Sequence, residues 1–443
     1  MKHRNRIAAV GIAIGALTLA ACSSTPEATT SPTTSGTAGA GDYAGQTLTV
    51  MHYEGAESAM GIAWNKAIEI FEKETGAKVN LQTTSFEDLN ASASQLFDSS
   101  DAPDVSEYNK GNGTAGQLAA TGVIENLDDA YATYGWADKL GAGIDTIAKY
   151  DDNGVMGSGS FYGVPNYGEF VFLYFNQDMF DKYGITVPTT GAELETAMQT
   201  FVDNGVTPMA TSAQEYPMGQ LWYQLALSKA DRNWVNDYQL YTNPVNWQGP
   251  QIDYATQTIA DWVSKGYISK DASGMKAEDA GLSFINGDVP MFYSGSWWYG
   301  RMLSDVTTFK LGITNWPGTT LTPGSGGNIW VVPVKSKQPE LAQKFIDITM
   351  SPEVQALLGE SGGLPVAANT ADVTNADAQQ LIALFNEVND RDGLSFYPDW
   401  PTPTFYDQIV AELQELVNKT KTPAEVLTSL GEQYDSYAAD FRE

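Results

Sequence analysis

Two periods of apolar residues alternate along the chain in a regular succession. Residues 47–53 read as a strand. Trp64, Ala67, Ile68 and Phe71 then recur at helical spacing as far as Gly76, after which Val79, Leu81 and Thr83 alternate again. Ser85 with Asp88 three positions on opens a second helix through Leu96 and Phe97, and 103–108 is extended. This β-α-β-α-β run predicts a parallel sheet flanked by helices. The pattern restarts after Pro165. Phe170, Phe172 and Tyr174 alternate, 178–183 is a short helix closed by Gly184, and Thr190 with Glu193 caps the next. Strands at 206–210, 289–293 and 310–314 and a long helix over 252–263 follow. Beyond Ala376 the pattern is mostly helical, with Thr422-Pro423-Ala424-Glu425 as a helix start. No repeat of solenoid length is visible.

At 443 residues the chain exceeds what one core holds, since single cores stop growing near about 250 to 300 residues; two lobes are expected. Hydrophobic residues make up 42% and aromatics 11%, enough for two interiors with rings left over to line a pocket.

The N-terminus changes the picture. Lys2, Arg4 and Arg6 give a basic start, an uncharged apolar run follows over 7–21, and it ends in Leu19-Ala20-Ala21-Cys22. This is the pattern of an export signal, and it resembles the bacterial lipoprotein signal, in which the Cys after the cleavage point is acylated. Residues 1–21 are therefore read as signal peptide, and 22–42 as lipidated Cys22 plus a flexible Ser/Thr/Pro/Gly-rich tether. Cys22 is the only cysteine, which excludes disulfides within the chain and thiolate metal sites. Lys and Arg total 24 against 54 Asp and Glu, so the chain repels phosphate backbones, and no nucleic-acid partner is expected.

Three stretches in fixed order carry a family likeness: Phe161-Tyr162-Gly163-Val164-Pro165 before Phe172-Leu173-Tyr174-Phe175-Asn176; Phe284-Ile285-Asn286-Gly287-Asp288-Val289-Pro290-Met291 leading to Ser294-Gly295-Ser296-Trp297; and Gly326-Gly327-Asn328-Ile329-Trp330-Val331-Val332-Pro333. With the lipoprotein-like signal they make the chain similar to the family 1 extracellular solute-binding proteins, the maltodextrin-binding-like receptors of carbohydrate ABC importers. The resemblance spans about 48–417 and implies an α/β, two-lobed periplasmic-binding-protein fold with a central ligand cleft. Hinge crossovers are implied near Tyr167, 316–323 and Pro365. The lobes would be 43–166 plus 321–365 and 167–320 plus 366–443. A monomer held to the outer membrane face by its lipid alone, handing a sugar to a permease, is implied as well.

A sugar offers a C–H face that packs on flat rings and a rim of hydroxyls that need acceptors once water leaves. Carboxylates and amides suit that rim. Trp297 and Trp298 follow a strand and a Ser-Gly-Ser turn, which brings at least one to a loop rim, where the resembled family stacks an aromatic on sugar. The resemblance also implicates Glu169, beside Tyr167 at the crossover, and Glu215 with Trp222. His52 and Glu54 leave the first strand; Asn109 and Lys110 leave the third. Asn328, Trp330, Asp399 and Trp400 complete the candidates, with strand packing between Ile329 and Val331 competing for Trp330.

Other signals weigh less. Gly111-Asn112-Gly113-Thr114-Ala115-Gly116 matches a dinucleotide fingerprint but follows a short polar strand that is not the first of the fold, so it reads as a turn. Asp151-Asp152-Asn153-Gly154 lacks a calcium loop's sixth-position Gly and twelfth-position Glu, Met156 and Tyr162 standing there. With His3 in the signal, a triad or His-metal cluster would rest on His52 alone; no cofactor or metal is expected. A secreted glycoside hydrolase, which also needs carboxylates and rings in a cleft, and a receptor for a non-sugar solute are the competing functions.

Overall fold

The two successions of strand and helix fold as two sheets. The computed structural model describes residues 43–140, 144–366 and 372–442; the signal, Cys22 and the tether lie outside them. In chain order the strands are β1 (Thr47–His52), β2 (Lys78–Thr83), β3 (Val105–Tyr108), β4 (Lys149–Tyr150), β5 (Ser160–Phe161), β6 (Val164–Pro165), β7 (Tyr167–Asn176), β8 (Met209–Ala210), β9 (Met291–Gly295), β10 (Leu311–Thr314), β11 (Gly324–Gly326), β12 (Ile329–Val331) and β13 (Leu364–Pro365). Among the described residues, one main sheet has the order β2-β1-β3-β12-β6 and the other β10-β7-β9-β8, with β11 and β13 pairing to the first residues of β7, while β4 and β5 form a separate two-stranded ladder.

The expected parallel sheet is present in its first three strands, where β1 pairs in parallel with β2 and β3. The rest is mixed, because β12 enters from the second sheet and runs antiparallel to β3 and β6. The chain changes sheet at Asn166 and again between β11 and β12, at Gly327 and Asn328. The second change falls later than the 316–323 implied by resemblance. Thr322 is held on the second sheet, its hydroxyl donating to Gln224 Oε1 at 2.7 Å and to the Val171 carbonyl at 3.2 Å.

Local chemistry sets the boundaries. The helix Ala59–Thr75 starts where Ser58 Oγ accepts from the Gly61 N–H at 2.9 Å, and it buries Ala63, Trp64, Ala67 and Phe71 on one side. Thr190 and Thr422 both close full capping boxes with the Glu three residues on. Two strands start later than expected, β8 at 209 instead of 206 and β9 at 291 instead of 289. Pro208 and Pro290 have no N–H for a ladder, and β8 and β9 begin just after them. The glycine-rich stretch after β3 forms a π-helical turn, Asn112–Gly116. The space beside Gly111 and Gly113 is filled by Trp400 and the Thr402 backbone, which leaves no cradle for a pyrophosphate. Asp151 Oδ1 accepts from the Asn153 and Val155 N–H groups, both at 2.9 Å, in a turn closed on itself.

Two apolar cores back the sheets. Trp64, Phe71, Trp330 and Phe345 belong to one, and Trp222, Tyr238, Trp247 and Phe405 to the other.

Candidate functional site

Loops at the carboxyl ends of parallel strands gather on one side of a sheet, where open α/β folds place their ligands. Tyr53 and Glu54 follow β1, Asn109 and Lys110 follow β3, and Asn328 precedes β12. These residues face Tyr167 and Glu169 at the start of β7, Tyr216 and Gln220 one turn apart on the helix Tyr216–Leu227, Trp297 after β9, and Tyr397, Asp399 and Trp400. With Phe86 they enclose a cavity of about 210 Å³.

Lys110 is the hub. Its ammonium donates to Glu169 and, at 2.8 Å, to Asn328 Oδ1, and it lies 5.3 Å from the ring centroids of both Tyr397 and Trp400. Its side chain is only 2% exposed, so the pair with Glu169 is shielded from water. The Tyr167 hydroxyl donates to Glu107 Oε1 at 3.2 Å from behind the cavity. Trp297 Nε1 donates to the Tyr216 hydroxyl at 3.2 Å, and the two rings meet edge to face at 5.7 Å. A Cβ at position 295 would overlap the Trp297 ring, and one at 111, where φ is +106°, would lie 2.6 Å from Trp400 Cβ; glycine at both points is what lets these rings sit here.

Burial governs the acidity. Glu54 is pushed up to about 7 by burial, with Ser58 donating to it and Glu169 adding like charge. Burial likewise raises Asp399 to about 6 and holds Glu107 well above the usual carboxylate range, the Glu54 charge adding to it. The cavity is a shielded, carboxyl-rich space with aromatic walls and a single fixed cation among its described lining residues. No cluster of metal-ligating side chains occurs among the described residues.

Nine of the sequence candidates line the cavity: Glu54, Asn109, Lys110, Tyr167, Glu169, Trp297, Asn328, Asp399 and Trp400. Five do not, each for a definite reason. Trp222 is fully buried with Nε1 bonded to Thr256 Oγ1 at 2.9 Å, and Trp330 is wedged edge-on between Trp64 and Phe345, the strand-packing outcome. Trp298 packs on Phe292 and points Nε1 at Tyr216 from the core side. Glu215 ties two helices, accepting from the Ala277 N–H at 2.7 Å. His52 turns inward, where its Nδ1 accepts from the Glu54 N–H at 3.2 Å and burial lowers it to about 4, so it is a neutral structural acceptor.

Phe86 and Gln220 lie outside every stretch the sequence pointed to for the site, whereas Tyr53, Tyr216 and Tyr397 belong to such stretches (52–54, 214–216 and 397–400) without being candidates themselves. Gln220 carried a usable signal, a glutamine in a helix whose neighbours Met218, Leu221 and Trp222 are all apolar and buried. Phe86 gave none, since the first apolar residue of a helix ordinarily faces its own core.

Fold and cavity together define a two-lobed receptor of the periplasmic-binding type. The chain belongs to the family described as bacterial extracellular solute-binding protein, whose profile matches residues 55–356. It is similar to the diacetylchitobiose binding protein DasA of Streptomyces coelicolor, with 25% identity over 82% of this chain and 81% of that one. A multiple sugar-binding protein of Streptococcus mutans is 22% identical over 75% of this chain and 79% of its own length. Among solved structures, a chitin oligosaccharide binding protein superposes with a TM-score of 0.76 at 22% identity, covering 89% of this chain and 99% of that one. The GacH receptor of Streptomyces glaucescens, determined unliganded and with acarbose, gives 0.73 at 21% identity, over 89% of this chain and 99% of that one.

Proposed function

We propose that this protein captures a carbohydrate in the cavity between its two sheets and delivers it to the permease of an ABC importer, without chemical change to the sugar. The observation that carries this reading is the joining, in one shielded space, of flat rings (Trp297, Tyr397, Trp400) with hydroxyl acceptors (Glu54, Glu169, Asp399, Asn109, Asn328). Rings take the C–H face and the carboxylates and amides take the rim. The names of the relatives and solved structures, which speak of chito-oligosaccharides, multiple sugars and acarbose, support the same ligand class.

The lobes are proposed as 43–166 plus 328–365 and 167–327 plus 366–443, the second boundary moved from 320/321 to the point where the chain changes sheet, and hinged there so that closure wraps the sugar. Ligand then shifts the open-closed balance only by its better fit to the closed form. The basic start, apolar run and Leu19-Ala20-Ala21-Cys22 support export and acylation at Cys22, holding a monomer to the outer face of the membrane. Replacing Cys22 with Ser is expected to abolish fatty-acid labelling and release the protein from the membrane fraction.

A thermal-shift series against mono- and oligosaccharides tests the central claim. A true ligand at 100 times its dissociation constant stabilises by about 2.7 kcal/mol. Silence from every sugar together with a response to a peptide or compatible solute would replace the ligand class, and steady release of cleaved glycan would make the protein a hydrolase.

A further inference from the structure

The site holds more carboxyl groups than its one ammonium balances. Glu54, Glu169 and Asp399 line the cavity, and Glu107 approaches from β3, the strand between β1 and β12, with no exposed surface. Lys110 is committed to Glu169 and Asn328. The ionisable groups acting on Glu107 are Glu54, Tyr167, Tyr53, Glu169 and Lys110. Burial and the charges of Glu54 and Glu169 push its pKa up, whereas the one cation, Lys110, pulls it down and is itself bonded to Glu169.

The contacts of Glu107 are lopsided. Its Oε1 accepts from the Tyr167 hydroxyl, whereas its buried Oε2 meets no donor among the described residues. What lies within hydrogen-bonding reach is the Glu54 carboxyl, another acceptor. Two ionised carboxylates held together away from water repel each other strongly, and one proton between them turns the repulsion into a short charge-assisted bond. The proton belongs on the group that water cannot reach. Glu107 sits inside the sheet, while Glu54 opens on the cavity and has a hydroxyl donor of its own in Ser58 at 3.3 Å.

We infer that Glu107 remains a neutral carboxylic acid at pH values above 7, donating its proton to Glu54, and that it is the positioning residue that there holds Glu54 as an ionised acceptor facing the cavity. Burial raises the pKa of both groups, the direction a shared proton requires. One consequence rests on the carbohydrate reading: a sugar hydroxyl donating to Glu54 favours its ionised form, so affinity falls as pH drops through about 7.

Infrared spectroscopy of the ligand-free protein at pH 8 tests the inference. Ordinary carboxyl groups and most of Glu54 are ionised there, so the carbonyl stretch of one protonated carboxylic acid per chain is expected, shifting in heavy water. Glu107→Gln keeps an N–H for Glu54 and an oxygen for Tyr167, and is expected to abolish that band. Absence of the band from the wild-type spectrum, which decides the matter even if the variant does not fold, or its persistence undiminished in folded Glu107→Gln, would overturn the assignment. No ligand enters the measurement, so a band from a protein that binds no sugar would refute the carbohydrate reading alone.

Discussion

Removing the Lys110 ammonium should cost far more than a surface charge would. Lys110→Met keeps most of the side-chain volume and strands the Glu169 carboxylate, whose side chain is 6% exposed, next to Asn328 Oδ1, which loses its donor. Breaking a buried pair by deleting one partner costs about 3 to 5 kcal/mol, because the survivor is an uncompensated charge in a dry site. The rings of Tyr397 and Trp400, each 5.3 Å from the ammonium, lose a cation–π contact worth about 0.5 to 2 kcal/mol. Part of the loss is recoverable by protonating carboxyl groups, so the sign with pH is fixed: the penalty is full near pH 8 and smaller near pH 5. Guanidinium unfolding of wild type, Lys110→Met and the double variant Lys110→Met/Glu169→Gln at both pH values gives the numbers. The double variant should recover most of the stability at pH 8. A loss below about 1 kcal/mol at pH 8, or a double variant no better than the single one, would refute the buried-pair argument.

Trp297→Ala is expected to weaken sugar binding by about tenfold or more. A ring face covering about 60 Å² of sugar is worth about 1.5 kcal/mol, and unchanged calorimetric affinity would remove Trp297 from the site. Glu54 has its folded pKa raised, so the native state holds more protons than the unfolded chain between the usual carboxylate range and about 7. Its ionisation therefore costs stability as pH rises through that window, and Glu54→Gln should gain on wild type in chemical denaturation from pH 5 to pH 8. A difference independent of pH would contradict the raised acidity constant. Gly111→Ala combines a left-handed backbone with a clash on Trp400 and should cost about 1 to 3 kcal/mol in the same assay, whereas a neutral result would mean that the loop yields easily.

How much of this was legible beforehand depended on whether a signal was local. Capping boxes at Thr190 and Thr422, the glycine stop at 76 and the apolar stripe of Trp64, Ala67 and Phe71 act within a few residues, and each element stands where its pattern placed it. Loops leaving β1 and β3 were readable for the same reason, since the end of a parallel strand is a place where side chains collect. What a single residue packs against is a long-range fact. Trp222, Trp298 and Trp330 have the same chemistry as Trp297, and only the contacts with Thr256, Phe292 and Trp64 separate core from cavity. Phe86 and Tyr216 reach the cavity because a helix from each half points an end at it, a matter of tertiary placement. Glu107 was hidden too, since a lone acid inside a four-residue strand ordinarily signals an edge facing solvent.

Strand β7 gives the molecule a common seam. All ten of its residues are buried, and it pairs with β9, β10, β11 and β13, so every return of the chain from one half to the other zips onto it. Its amide protons should accordingly be among the last to exchange with deuterium. The proposed swing of the halves is expected to leave these ladders paired.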